Sequence, residues 1–75
     1  MLNETESTVY ASQLRALLDT KLASKVSARD FEITMDRVLH GVTARELAED
    51  HGITAPRIFQ IEARVLRYAK RALNS

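Results

Sequence analysis

Apolar residues recur along this chain with the spacing of an α-helix, in four stretches that short polar connections separate. No stretch shows the strict apolar–polar alternation of a half-buried strand, so the pattern predicts an all-α fold of four helices. The expected helices run from a cap at Ser7 or Thr8 to about Ser24, over 28–40, from Thr43 to His51, and from Thr54 onwards.

The same spacing predicts the core, because residues three and four apart lie on one face of a helix. The expected core positions are Tyr10, Leu14, Leu17, Leu18 and Leu22 on the first helix, Phe31, Met35, Val38 and Leu39 on the second, and Ile58, Ile61, Val65, Tyr68, Ala69 and Ala72 on the last. We expect a single helical domain over 8–75, preceded by a flexible tail over 1–7.

Residues with known preferences for helix ends support these boundaries. Hydroxyl side chains that can accept a hydrogen bond from a first-turn amide precede the last three helices, at Ser27, Thr43 and Thr54. Asp30 and Glu46 stand three positions after the first two, in the pattern of a capping box. Gly41 and Gly52 fall where a left-handed residue can end a helix, and Pro56 falls in a first turn.

The third helix, its turn and the last helix fit a helix-turn-helix over 43–72. Gly52 ends the third helix, and the last begins at Thr54. Ala48 lies four residues before Gly52, where two steeply crossing helices leave room only for a small side chain. Apolar residues occupy the positions that contact between the two helices requires, namely Leu47, Ile53, Ile58 and Ile61.

A second face of the last helix is basic. Arg57, Gln60, Arg64, Arg67 and Arg71 follow a 3-4-3-4 spacing. A solvated surface helix often carries such a stripe, but on the second helix of a helix-turn-helix it predicts a DNA-binding face. We expect Gln60 to suit adenine, Arg57 or Arg64 to suit guanine, and the later arginines to meet phosphates.

A third face of the last helix is largely apolar. It comprises Phe59, Ala63, Leu66, Lys70 and Leu73, spaced like the seam of a coiled coil. Three occupants are open at this point: the first helix of the same chain, a second copy in a homodimer, or another protein. We favour a contribution of Phe59 and Leu66 to a homodimer, and the first helix around Leu14 and Leu18 offers a second dimer surface.

The segment GVTARELAEDHGITAPRIFQIEARVLR, residues 41–67, resembles region 4 of bacterial sigma-70 family factors. The run Gln60–Ala63, flanked by Ile58 and Leu66, is its most family-specific part, and the likeness covers roughly residues 27–72. It implies recognition of the promoter −35 element and contact with RNA polymerase. The chain also resembles, more loosely, small plasmid-encoded helix-turn-helix repressors of transfer and replication genes.

The chain departs from the sigma pattern at three positions of the last helix. Ala55 and Pro56 stand where the family has an arginine–glutamate pair that reads bases, and Phe59 replaces a basic residue. The departures favour an alternative from another class, a protein-interaction module that binds RNA polymerase or an activator. The basic face opposes that alternative.

Composition narrows the possible functions. The chain has 75 residues, a formal net charge of +1 and no cysteine. Residues 1–50 hold six basic and nine acidic residues, whereas residues 51–75 hold five basic residues and one glutamate. The cationic half contains the predicted recognition helix, as expected for a protein that binds a polyanion. There is neither a signal-peptide pattern nor a membrane-length apolar run, so we expect a cytoplasmic protein.

Nothing in the chain indicates an enzyme, because no nucleophile–base set or phosphate loop is present and His40 and His51 suit helix C-termini better than a metal site. We expect neither a cofactor nor a metal. The expected function is transcription regulation, as a plasmid or phage repressor that blocks a promoter and binds double-stranded DNA as a homodimer. The predicted DNA-binding residues are Thr43, Arg45, Thr54, Ala55, Arg57, Gln60, Arg64, Arg67 and Arg71.

Overall fold

The chain folds into four α-helices, with no β-strand among the described residues. A computed structural model describes the backbone of residues 4–74 and the side chains of residues 12–74. The helices are α1 (Glu4–Leu22), α2 (Ala28–His40), α3 (Ala44–His51) and α4 (Ala55–Asn74). The prediction of an all-α fold of four helices is therefore confirmed.

Hydroxyl side chains cap the N-terminal ends of the last three helices, as the sequence predicts. Three bonds do this: from the Asp30 amide to Ser27 Oγ at 3.1 Å, from the Glu46 amide to Thr43 Oγ1 at 3.1 Å, and from the Arg57 amide to Thr54 Oγ1 at 3.3 Å. Each satisfies a first-turn amide that has no partner within the helix. The Asp30 carboxylate, expected to complete a capping box, pairs with the guanidinium of Arg29 at 3.2 Å instead.

Glycines in the left-handed conformation end α2 and α3. Gly41 has φ of 67° and Gly52 has φ of 66°. The amides of the next residues, Val42 and Ile53, donate to carbonyls in the last turns of α2 and α3, each at 3.0 Å. Glycine adopts positive φ without the penalty that a Cβ atom imposes, so both turns can be tight.

The first helix differs from the prediction at both ends. It begins at Glu4, upstream of the expected cap at Ser7 or Thr8, and it ends at Leu22 and not at Ser24. Residues 4–7 contain no glycine or proline, and glutamates in a first turn favour a helix N-terminus. The part of the predicted flexible tail that the structure describes, 4–7, is therefore helical. Residues 1–3 lie outside the described residues.

The face of α1 that packs into the domain is narrower than predicted. Leu18 and Leu22 are buried and Leu14 is half-buried, but Leu17 is 46% exposed. One residue step turns about 100° around a helix, so Leu17 does not share the face of Leu18. The side chain of Tyr10, predicted on the same face, lies outside the described residues.

The core of α2 also differs from the prediction at one position. Phe31 and Met35 are buried as expected, and Leu39 is half-buried, but Val38 is 50% exposed. The described contacts of α1 with α2 join Arg15 to Phe31 and Glu32, near the N-terminal end of α2. Val38 lies two turns beyond Phe31 on α2. The apolar spacing of α2 therefore continues past the part of the helix that these contacts with α1 cover.

The last helix forms the centre of the domain because α1, α2 and α3 all pack on it. Its predicted core face is confirmed: Ile58, Ile61, Val65 and Ala69 are buried, while Tyr68 and Ala72 are half-buried against the same cluster. Other faces of α4 carry its exposed residues, which include Arg57, Arg64 and Leu66. In the described part of the chain, no helix combines the length and apolar character that crossing a bilayer requires.

Candidate nucleic-acid interface

The connection between α3 and α4 sets the orientation of the basic face. Three residues, 52–54, join the two helices. Leu47 and Ala48 of α3 are buried in the same cluster as Ile58 and Ile61 of α4, and Ile53 packs against it from the turn. Since these contacts hold one side of α4 against α3, the opposite side of its first turns points away from the domain.

Every member of the predicted basic face is exposed. Arg57 and Gln60 occupy the first two turns of α4, and the Arg57 guanidinium donates a hydrogen bond to Gln60 Oε1 at 3.4 Å. Arg64 lies over the ring of Tyr68, 5.9 Å from its centroid. Arg67 and Arg71 continue the face towards the C-terminal end. At 1.5 Å per residue, the face extends for about 21 Å along the helix axis.

The arginines of the chain fall into two groups by ionic partner. Each arginine before α4 pairs with a carboxylate, as Arg15–Glu32, Arg29–Asp30, Arg37–Glu62 and Arg45–Glu49. In contrast, the four arginines of the basic face form no ion pair with any residue in the described part of the chain. No carboxylate of the described residues neutralises their positive charge, which is available to an anionic partner.

The acidic residue of α4 is removed from the basic face by packing. Glu62 Oε2 lies 3.4 Å from Arg37 Nε, and the side chains of Glu62 and Arg37 are only 18% and 26% exposed. The Arg37 guanidinium also lies 5.2 Å from the Phe59 ring centroid, and it approaches the Val42 carbonyl at 3.5 Å. Sequence reasoning missed Arg37, because nothing in the local pattern relates it to a residue 25 positions later.

The remaining predicted DNA-binding residues lie at the starts of α3 and α4. Thr43 and Thr54 are the exposed cap residues of these helices. Arg45 is exposed, and its charge is shared with Glu49 at 3.6 Å. Ala55 is half-buried against the core, so its side chain offers less surface than the sequence prediction assumed.

The apolar stripe of α4, which we define as Phe59, Ala63, Leu66 and Leu73, is exposed. Phe59 is 51%, Leu66 40% and Leu73 49% exposed. The possibility that the first helix covers this stripe is wrong, because α1 inserts its buried leucines into the core instead. Two of the three occupants considered from the sequence, a second copy and another protein, remain.

The second dimer surface predicted from the sequence needs a correction. Leu18 is 5% exposed within the single chain and belongs to its core, and Leu14 is half-buried against that core. A side chain that is already buried within the protomer has no surface left to offer a partner. The face of α1 around Leu14 and Leu18 is thus an intramolecular contact.

A feature absent from the sequence prediction is a groove where the C-terminal end of α1 meets α4. Its volume is about 410 Å³, and the residues that line it are Lys21, Leu22, Lys25, Tyr68, Arg71 and Ala72. Three of these are cations and none is acidic. The signal available in the sequence was the pair Lys21 and Lys25, four residues apart at the end of the first helix. Only the tertiary structure brings this pair to Arg71.

The two histidines occupy helix ends. His40 and His51 are exposed residues in the last turns of α2 and α3. Among residues that the structure describes, no three His, Cys, Asp or Glu side chains are grouped closely enough to hold a metal ion.

Comparisons of the chain with protein-family models, with curated proteins and with solved structures found no match.

Proposed function

We propose that this chain is a sequence-specific DNA-binding regulator of transcription that uses α4 as its recognition helix. The observation that supports this most directly is the basic face, whose four arginines are exposed and have no ionic partner in the described part of the chain. A solvated helix face of a small domain usually mixes both signs of charge, as α1 to α3 do here. The exposed charge of α4 has one sign along about 21 Å.

Position along α4 suggests a division of roles on DNA. The first turns of a recognition helix approach base edges, and the later turns lie nearer the phosphates. Gln60 can form two hydrogen bonds with adenine, and Arg57 or Arg64 can do so with guanine. Arg67 and Arg71 are then phosphate contacts, which contribute affinity without sequence preference.

Repression is the mode of action that we infer. A compact domain bound over a promoter excludes RNA polymerase from the same DNA, and this requires no further activity of the protein. The likeness of residues 41–67 to sigma region 4 suggests promoter DNA as the site. The likeness to small plasmid repressors suggests a plasmid or phage origin in a bacterial cytoplasm.

Substitution along the basic face tests the proposal. The operator is first selected from a random DNA pool. Gln60→Ala and Arg57→Ala should each lose ~1–3 kcal/mol at particular base pairs, since bidentate base contacts have this magnitude. Arg67→Ala should weaken binding to all sequences similarly and reduce the salt dependence of binding. If Arg64 contacts a phosphate, Arg64→Ala should have the same effect.

Titrations at low and moderate salt provide the measurement. Lys70→Ala is the matched control, because Lys70 is an exposed cation of the same helix outside the basic face. If all four basic-face variants bind the selected DNA as the parent does, α4 is not the recognition helix.

A second candidate function is a protein-interaction module that binds RNA polymerase or an activator. The observation in its favour is the exposed apolar stripe of α4, together with Ala55 and Pro56 at positions where sigma region 4 has base-reading residues. A larger apolar patch on a monomer commonly marks a protein contact. Failure of the parent to prefer any DNA in the selection, combined with binding to polymerase, would favour this candidate.

A further inference from the structure

We propose that the groove between α1 and α4 binds a phosphate of the DNA backbone beside the site that α4 reads. This inference rests on the proposed DNA-binding function and extends it to the end of α1, which lies outside the sigma-like residues 27–72. Three cations from separate segments line the groove: Lys21 from the last turn of α1, Lys25 from the following turn, and Arg71 from α4. Their convergence is a property of the tertiary structure alone.

The chemistry of the groove suits a phosphodiester. Lys21, Lys25 and Arg71 are exposed, and none forms an ion pair within the described part of the chain. Tyr68, which is half-buried, also lines the groove. Proteins commonly bind phosphate oxygens with ammonium and guanidinium groups such as these. Among the described residues no carboxylate lines the groove, so none of them competes with a bound anion for these cations.

Continuity with the basic face identifies DNA as the source of the phosphate. Arg71 belongs both to the basic face and to the groove, and the Tyr68 ring that forms one wall is the ring over which Arg64 lies. Arg71 is about 21 Å from Arg57 along the helix axis. The first turns of a recognition helix approach base edges and its later turns lie nearer the phosphates, so Arg71 and the groove are at the end of α4 that would meet the backbone.

Removal of the two lysine charges that line the groove together with Arg71 tests the proposal. The variants are Lys21→Gln, Lys25→Gln and their combination, with Lys70→Gln as the control. Lys70 is the sequence neighbour of Arg71 but projects from the apolar side of α4. Each single variant removes one positive charge from an exposed position and the combination removes two, so thermal melts should show an unchanged fold.

The measured quantity is the slope of log K against log salt concentration for the selected operator and for random DNA. Each lost phosphate contact should reduce the slope by about 0.9 for duplex DNA, so the double variant should lose about 1.8. The preference for operator over random DNA should stay constant, because phosphate contacts carry no sequence information. Lys70→Gln should leave the slope close to that of the parent.

The outcomes separate this inference from the proposed function. If the basic-face variants lose binding while the lysine variants keep the parental slope, the groove assignment fails and the DNA-binding proposal stands. If the parent binds no DNA, both fail. Titration with inorganic phosphate, followed by NMR at Lys21, Lys25 and Tyr68, tests whether the groove binds free phosphate and not a phosphate of DNA. Saturable binding there, with an unchanged DNA slope in the lysine variants, would assign the groove to a free anion.

Discussion

Arg37 connects three parts of the domain through one side chain. Its guanidinium pairs with Glu62 at 3.4 Å, approaches the Val42 carbonyl at 3.5 Å and lies 5.2 Å from the Phe59 ring centroid. The contacts join the end of α2 and the connection after it to the first half of α4. They also neutralise Glu62, which would otherwise place an unpaired negative charge on α4.

Replacement of Arg37 should therefore destabilise the domain. Arg37→Ala removes the partner of a largely buried carboxylate, and a hydrogen bond to a charged group contributes roughly 1.5–3 kcal/mol. Arg45→Ala is the control, because its pair with Glu49 is 89% and 71% exposed. An exposed pair of this kind contributes less than about 1 kcal/mol. Urea unfolding measures both, and equal losses would show that the contacts of Arg37 do not stabilise the fold.

At the scale of elements, the α3–α4 pair depends on a small residue at their contact. Ala48 is 8% exposed within the core cluster, beside the turn that Gly52 closes. Ala48→Leu adds three carbon atoms to a packed site and should cost ~1–3 kcal/mol or more. Ala63→Leu makes the same change at an exposed position of α4 and should have little effect. Thermal melts in which the two variants have equal stability would contradict close packing at Ala48.

The boundaries of α2, α3 and α4 could be predicted from the sequence because each depends on local chemistry. The caps at Ser27, Thr43 and Thr54 and the left-handed glycines act within one turn of the residues that encode them. Burial was less predictable. Val38 and Leu17 fit the apolar spacing of their helices, but whether a neighbour covers them depends on where the helices cross, and periodicity contains no such information.

In the candidate site, too, features that depend on local sequence could be predicted and features that depend on tertiary packing could not. The basic face could be predicted because its residues share one helix, and their 3-4 spacing defines a face directly. The groove could not, because Lys21 and Lys25 are more than 40 positions from Arg71 in the chain. The partner of Glu62 was unpredictable for the same reason. Contacts between distant segments depend on the packing of the whole domain.

For the whole molecule, the net charge of +1 conceals a segregation of charge. The arginines of α1 to α3 are paired with carboxylates, so the unpaired positive charge among the described residues belongs to the basic face and to Lys21, Lys25 and Lys70. A one-sided positive field steers a polyanion towards α4 and raises the association rate at low salt. The apolar stripe lies on another side of the same helix, so DNA and a second copy could bind together.

We predict that the apolar stripe mediates a two-fold homodimer. A single recognition helix buries little surface on DNA, and a dimer doubles the contacts. Because α1 does not cover Leu66, Leu66→Glu should weaken self-association without unfolding the chain. Val38→Glu is the control, since Val38 is also an exposed apolar residue but lies on α2. Sedimentation at micromolar concentration measures the effect, and a parent that remains at 8.5 kDa would exclude the dimer.

The spacing of the half-sites reports where the two-fold axis crosses the stripe. In an antiparallel pairing of two α4 helices centred on Leu66, the two copies of Gln60 would be about 18 Å apart along the helices, against about 39 Å for a pairing centred on Leu73. Adjacent half-sites on one face of DNA are about 34–36 Å apart. If footprints show an inverted repeat with this spacing, the axis lies near Leu73, and Leu73→Glu should then reduce dimerisation more than Leu66→Glu does. The opposite order, with the same footprint, would contradict an antiparallel pairing of the α4 helices centred on Leu73.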